Sequence, residues 1–182
     1  MNEGLIPRRY AKALYEVASQ RGQAESLYGL MRTLAASAQA EPELTRTLAN
    51  PYIPDADKRR LLATAAGASA EDTTFADWLR VIAQNHRSAM APDIARSYVD
   101  YYRSERRIYP VTVTGATKLS ADESKRMQAL IQQHIGKDAS MEYSERIDPD
   151  LIGGFTIDIA NERLDASVQQ RLEQMRLHLL DA

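Results

Sequence analysis

The spacing of apolar residues changes once along this 182-residue chain, and that change constrains the fold more than any other feature. Up to residue 107 the apolar residues recur three or four positions apart, which is typical of amphipathic helices. From Tyr109 onward they alternate with polar residues, which is typical of half-buried strands. The sequence therefore predicts a helical domain over residues 1–107 and a smaller α/β domain over residues 108–182.

Six helices are predicted in the N-terminal domain. Pro7 suits the first turn of a helix that ends at Gly22, because its fixed φ is already helical. Asn50-Pro51 ends a short third helix that begins at Pro42, since the residue before a proline avoids the helical region. The sixth helix is predicted to end near Arg106-Arg107.

The C-terminal domain is predicted to have the order β-α-β-β-α. Ser120 and Glu123 form a capping box that begins its first helix, and this helix ends at Gly136. Residues 139–143 and 155–159 alternate like strands, and the last helix is predicted to carry Leu164 together with residues up to 179. The predicted fold class is mainly α, with a six-helix bundle followed by a small α/β domain.

Composition excludes several classes of protein. The chain has 23 Lys and Arg, 25 Asp and Glu, and no cysteine. A globally basic nucleic-acid binder is therefore not expected, nor is a disulfide framework, a thiol nucleophile or a cysteine zinc site. No stretch approaches the ~20 apolar residues of a membrane span, and the start lacks the apolar region of a signal peptide. We expect a soluble protein.

The sequence contains no catalytic constellation. His86, His134 and His178 are isolated, without a metal-ligand spacing such as H-x-x-x-H. The carboxylates between residues 142 and 150 lack the calcium-loop pattern and are interpreted as a solvated strand end. We therefore expect no catalytic residue, no metal and no cofactor.

The first and fifth predicted helices carry more apolar residues than one buried stripe requires. A second apolar face on neighbouring helices can form a groove for an amphipathic helix of a partner. The same pattern arises when both helices lie at the centre of a six-helix bundle. Periodicity alone leaves both interpretations open.

Five groups of residues, in this order and spacing, resemble one known family. They are Arg8–Tyr15, Asn50-Pro51 with Lys58–Leu62, Phe75–Leu79 with Asn85–Arg87, Leu119-Ser120 with Glu123, and Asp148–Ile157 with Asp165–Val168. Together they are similar to the delta subunits of bacterial F-type ATP synthases, called OSCP in mitochondria, over essentially the whole chain. Two sites depart from the family: Asp158 replaces a basic residue, and the pair Ala160-Asn161 replaces Gly-Asp. Because asparagine tolerates left-handed backbone geometry, a turn is still expected there.

The resemblance implies a non-catalytic stator subunit. In this family the N-terminal domain binds the N-terminal helices of α subunits on the F1 α3β3 head, in a groove between its first and fifth helices. The C-terminal domain holds the b (b/b′) subunits of the peripheral stalk. Membrane association is then indirect, through the F0 stalk, on the cytoplasmic face of the bacterial inner membrane. The link resists rotor torque during proton-driven ATP synthesis.

The resemblance also implies which residues make these contacts. The groove for the α subunit is predicted to involve Tyr10, Ala13, Leu14, Val17, Trp78, Val81, Ile82 and Asn85. Of these, Leu14 or Trp78 is the residue expected to belong to the core instead. The contacts to the b stalk are predicted at Gly153, Gly154, Val168, Leu172, Met175 and Leu179.

Three other functions remain as alternatives: a helical adaptor or scaffold of another complex, an RNA-binding domain, and an enzyme whose catalytic set the sequence does not reveal. RNA binding would need stacking aromatics on a basic sheet. Residues 109–182 instead hold eight Lys and Arg against twelve Asp and Glu. The charge therefore disfavours RNA binding, and we expect no nucleic-acid partner.

Overall fold

The computed structural model describes residues 4–69, 71–136, 138–160 and 162–180, and of residues 177–180 it describes the backbone alone. The chain divides into two compact units, unit 1 ending at Glu105 and unit 2 beginning at Arg106. The boundary predicted from the sequence lies two residues further along the chain.

Unit 1 is helical. Its elements are α1 (Leu5–Gln20), α2 (Ala24–Ala40), α3 (Pro42–Ala49), α4 (Asp55–Ala66), α5 (Thr73–Gln84) and α6 (Ala91–Arg106, which crosses the boundary by one residue). A short 3-10 turn, Ser88–Met90, precedes α6. Helix α3 has the bounds that Pro42 and Asn50-Pro51 predicted.

Small residues line the buried face of the first helix. Helix α1 buries Pro7, Ala11, Leu14 and Ala18, which recur four, three and four positions apart. Alanines at these positions let neighbouring helices approach closely, and larger side chains from those helices fill the interior. Met31, Leu34 and Ile94 have no solvent exposure, and each such side chain stabilises the fold by about 1.5–3 kcal/mol through burial.

Buried polar groups in this core are mostly paired. Tyr98 is fully buried among aromatic rings, and its hydroxyl donates to the Ala24 carbonyl at 3.2 Å. Burial raises the pKa of Tyr98, because the low-dielectric interior disfavours its charged form. The indole Nε1 of Trp78 and the hydroxyl of Ser88 are buried without a hydrogen-bond partner among the described residues.

Unit 2 is built on a four-stranded sheet. Its elements are β1 (Ile108–Gly115), α7 (Ala121–Ile135), β2 (Ser140–Ile147), a 3-10 turn (Pro149–Leu151), β3 (Phe155–Ile159), β4 (Glu162–Asp165) and α8 (Val168–Leu180). The strand order is β2-β1-β3-β4. Strands β1 and β2 are parallel and are connected through α7, whereas β3 pairs antiparallel with both β1 and β4.

The core of unit 2 lies between α7 and the sheet. It consists of Val111 and Val113 from β1, Ile157 from β3 and Ile131 from α7. Along β1 the buried residues alternate with half-buried ones, as the two-residue periodicity predicted. The capping box of α7 is confirmed: Ser120 accepts from the Glu123 amide, and the Glu123 carboxylate accepts from the Ser120 amide at 2.8 Å.

The predicted order of unit 2 lacked one strand. Leu164, predicted on the last helix, lies on β4, in register with Ile157. Helix α8 begins only at Val168, because the Ser167 hydroxyl accepts from the Gln170 amide and caps it. The order is therefore β-α-β-β-β-α. The predicted class, mainly α with a C-terminal α/β part, is confirmed.

The hairpin between β3 and β4 contains both departures from the family pattern. Ala160 takes the left-handed conformation, with φ 49°, and Asn161 lies outside the described residues. Asp158 is paired with Arg163 across the hairpin, with Nε to Oδ1 at 2.6 Å and Nη2 to Oδ2 at 3.1 Å. These hydrogen bonds lower the pKa of Asp158.

Candidate partner-binding surfaces

Helices α1 and α5 run antiparallel and are joined by polar contacts at two points. Near the end of α1, Arg21 donates to Asp77 at 2.9 Å and to the Thr74 hydroxyl at 3.2 Å. At the other end, the Arg87 guanidinium donates to the Tyr10 hydroxyl at 2.8 Å and lies 5.3 Å from the centre of its ring. These contacts hold the two helices side by side.

Five of the predicted groove residues reach solvent, and they form what we call the α1–α5 surface: Tyr10, Ala13, Val17, Val81 and Asn85. Val17 is 41% exposed and Val81 is 45% exposed. Exposed valines beside a small alanine, on helices held together at both ends, give a partner helix an apolar strip with close backbone access.

The other three predicted groove residues belong to the core. Leu14 and Trp78 are buried, and Ile82 has no exposure at all. The expectation that Leu14 or Trp78 lies in the core therefore applies to both. Ile82 was expected at the surface, but the 3.6-residue period turns it inward while Val81 faces out. These three side chains support the α1–α5 surface from below.

Helix α8 carries an exposed apolar stripe. Val168 is 37% exposed, Leu172 50% and Met175 63%, and their spacing of four and three residues places them on one helix face. The side chain of Leu179, predicted on the same stripe, lies outside the described residues. Val168 lies beside Gly153 within unit 2, whereas Leu172 and Met175 are at least half exposed.

Gly153 and Gly154 form the place where the chain before β3 meets the start of α8. The Gly153 carbonyl accepts from the Val168 amide at 2.9 Å. Gly154 has φ 78°, and a Cβ there would lie 2.3 Å from the Ala166 carbonyl oxygen. The two glycines, predicted as stalk contacts, thus have a packing role of their own.

Ile152, just before these glycines, was not predicted as a site residue. Its φ of 65° is unusual for a β-branched side chain, and the residue is 67% exposed. Strained backbone is retained where the surroundings fix it, and it is often found at functional positions. Ile152 lies within Asp148–Ile157, one of the groups of residues that resemble the family. No local sequence pattern, however, predicts its positive φ.

A second feature missed by the sequence is a recess of about 370 Å³ between α7 and strands β3 and β4. Leu130 and Leu164 are exposed at this recess, and Ile157 lines it. The sequence analysis did not predict this recess because it placed Leu164 on the last helix. Leu164 instead lies on the fourth strand, where it lines the recess together with residues of α7. Among the described residues His134 lies at the same recess, 3.7 Å from Glu162.

Within the described parts of the chain, no cluster of three or more histidines and carboxylates has a geometry that could hold a metal ion. His86 is exposed at the end of α5, and the side chain of His178 is not described. No helix among the described residues is long and apolar enough to cross a membrane.

Comparison with known proteins identifies the family. The family model for the ATP synthase delta (OSCP) subunit matches residues 6–179 of this chain. The chain belongs to the delta/OSCP family. The ATP synthase subunit delta of Parabacteroides distasonis is 34% identical over 181 residues, covering 100% of this chain and 99% of that protein. The ATP synthase subunit delta of Bacteroides thetaiotaomicron is 31% identical over 182 residues, covering 100% of this chain and 97% of that protein.

The fold is shared with a solved ATP synthase subunit. A chain in the cryo-EM structure of the Toxoplasma gondii mitochondrial ATP synthase hexamer matches with a TM-score of 0.68 at 22% identity, covering 96% of this chain and 97% of that one. The chain therefore has the fold of that ATP synthase subunit. The ATP synthase subunit delta of Rhodospirillum rubrum is 26% identical over 172 residues, covering 94% of this chain and 91% of that protein.

Proposed function

We propose that this delta/OSCP subunit is a stator link that holds the catalytic head of the ATP synthase to its peripheral stalk. Unit 1 binds the N-terminal helices of α subunits on the F1 α3β3 head, and unit 2 binds the b (b/b′) subunits. The observation that carries the proposal is that each unit exposes an apolar strip on helices: the α1–α5 surface in unit 1 and the α8 stripe in unit 2.

The α1–α5 surface suits an amphipathic helix. Val17 and Val81 supply apolar contact, and Ala13 leaves room for the partner backbone. A link that must not slip during rotation requires slow dissociation, and a dissociation constant near nanomolar corresponds to about −12 kcal/mol. A helix that buries such a strip approaches this value when its anchors are fully desolvated.

The stalk contact is proposed on the α8 stripe. Leu172 and Met175 are at least half exposed in the absence of a partner, and a helix of the b subunit would cover them. Gly153 and Gly154 contribute by fixing where α8 begins, because the Gly153 carbonyl holds the Val168 amide. Ile152 extends the apolar area next to them.

In this proposal the chain transmits force and performs no chemistry. It contributes no catalytic residue and needs no cofactor, and proton translocation and ATP synthesis belong to other subunits. It associates with the cytoplasmic face of the bacterial inner membrane indirectly, through the F0 stalk, and it binds no nucleic acid.

Reconstitution tests both ends of the link. Stripped membranes that carry the b stalk are mixed with F1 heads and the full chain, and head retention is measured by sedimentation. Val81→Asp and Leu172→Asp are each expected to reduce retention at least about tenfold, because a carboxylate would be buried at the interface. Tyr52→Asp, at a residue 92% exposed between α3 and α4, is the matched control. Normal retention with both variants would contradict the proposal.

A further inference from the structure

One end of the α1–α5 surface opens into a basic recess that the sequence prediction did not include. Its lining consists of Ile6, Arg9, Tyr10, Ala13 and Arg87. Two of these five residues are arginines, and no carboxylate of the described residues lines the recess. Within the described residues neither arginine forms an ion pair.

The backbone fixes Arg87 in place. Helix α5 ends in a tight cap, in which His86 takes a left-handed φ of 53° and the Arg87 amide donates to the Ile82 carbonyl at 2.8 Å. From this cap the guanidinium reaches across to the Tyr10 hydroxyl at 2.8 Å. Part of the entropy cost of ordering this arginine is thus already met before any partner binds.

Most of the donors of the recess are still available. A guanidinium has five N–H donors, and a single side-chain hydrogen bond is observed for Arg87 among the described contacts. Arg9 is exposed on α1 next to it. Two cations at one end of an otherwise apolar strip are complementary to one negatively charged group of an occupant.

We propose that Arg87, assisted by Arg9, binds an acidic side chain of the helix that docks on the α1–α5 surface and so fixes the position of that helix along the strip. The occupant is an amphipathic partner helix with an aspartate or glutamate at the end that lies over Tyr10. This inference rests on the proposed function, because it specifies the partner of the same surface.

A double-mutant cycle tests this contact. The probe is a synthetic peptide with the N-terminal sequence of the α subunit from the same organism, titrated into the full chain by calorimetry. Each aspartate and glutamate of the peptide is replaced in turn by its amide, and each peptide is measured against the wild type and Arg87→Gln. One carboxylate is expected whose removal weakens wild-type binding about fivefold but has little further effect on Arg87→Gln.

Three further variants separate the charge from other effects. Tyr10→Phe removes the hydroxyl and keeps the recess basic, so the coupling is expected to persist. Arg9→Gln, at an exposed position, is expected to show a smaller coupling to the same carboxylate. Arg60→Gln, which removes an exposed arginine of α4, is expected to show none.

The outcomes distinguish this inference from the proposed function. A peptide that binds the wild type, with no carboxylate coupled to Arg87 or Arg9, overturns the acidic contact and leaves the docking surface in place. A peptide that does not bind at all overturns both. If Arg87→Gln loses its helical circular dichroism, the double-mutant cycle is carried out with Arg9→Gln alone. The absence of any peptide carboxylate coupled to Arg9 then overturns the acidic contact.

Discussion

Gly154 is a residue of unit 2 at which even a substitution by alanine is expected to be damaging. Its φ of 78° is a left-handed conformation, and a Cβ there would lie 2.3 Å from the Ala166 carbonyl oxygen and 3.1 Å from the Ser167 Cα. Both obstacles are backbone atoms, so no side-chain rotation relieves them. Gly154→Ala must therefore move the segment that leads into α8.

The expected cost follows from the geometry. Cβ atoms do not approach a carbonyl oxygen closer than 3.0 Å, so the segment must shift by at least 0.7 Å, the difference from 2.3 Å. The same shift lengthens the hydrogen bonds of the Ala166 amide, now 3.0 Å, and of the Val168 amide, now 2.9 Å. The left-handed conformation costs an alanine about 1–2 kcal/mol, and two weakened hydrogen bonds cost about 1 kcal/mol each. Gly154→Ala is therefore expected to destabilise unit 2 by about 3–4 kcal/mol.

Native-state hydrogen exchange at the Ala166 and Val168 amides measures this cost locally. Their protection is expected to fall by about two to three orders of magnitude in Gly154→Ala. Gly67→Ala is the control, because its φ is 69° and no atom lies within 4 Å of the new Cβ. Gly67→Ala should show only the cost of placing an alanine in the left-handed conformation, measured as lost hydrogen-exchange protection of the Ala68 amide. If Gly154→Ala costs no more than Gly67→Ala, the close approach is not what requires glycine.

Two further substitutions test local features of unit 2. Ser120→Ala removes the capping box of α7 and is expected to cost about 1 kcal/mol in thermal unfolding near neutral pH. Hydrogen bonds from Ser120 lower the pKa of Glu123, so their contribution is present above the ordinary value of 4.5 and is lost as the pH falls below it. The difference between the wild type and Ser120→Ala should therefore shrink in acid to the part that the hydrogen bond from the Glu123 amide to the Ser120 hydroxyl contributes, and an unchanged difference would contradict this pairing. Ala160→Gly relieves a left-handed φ of 49° and is expected to stabilise the β3–β4 hairpin by about 1 kcal/mol in urea unfolding. A loss of stability would show that the alanine methyl group makes a packing contact that outweighs its strain.

The helices of unit 1 could be predicted because their stop signals are local. Pro42 and Asn50-Pro51 define α3 without reference to the rest of the chain. The fourth strand could not be predicted in this way. All four residues of β4 are exposed, and Leu164 is its one apolar residue, so no alternation is visible. Its pairing with β3 depends on a tertiary contact.

The candidate surface could be predicted in part. Spacing identified α5 as apolar on more than one face, but it did not show which face meets the core of unit 1. Val81 and Ile82 are neighbours in sequence, yet one is 45% exposed and the other is fully buried. Arg87 was not predicted as a surface residue of this site for a similar reason: it contacts Tyr10, which lies 77 residues away in sequence.

The central claim is that the α1–α5 surface binds the N-terminal segment of the α subunit. The most direct measurement is calorimetric titration of that peptide into the full chain, its Val81→Asp variant and the Tyr52→Asp control. Sub-micromolar binding is expected for the wild type and for Tyr52→Asp, with affinity at least about tenfold weaker for Val81→Asp. The absence of heat from the wild type at tens of micromolar peptide, or equal affinity in all three proteins, would contradict the claim.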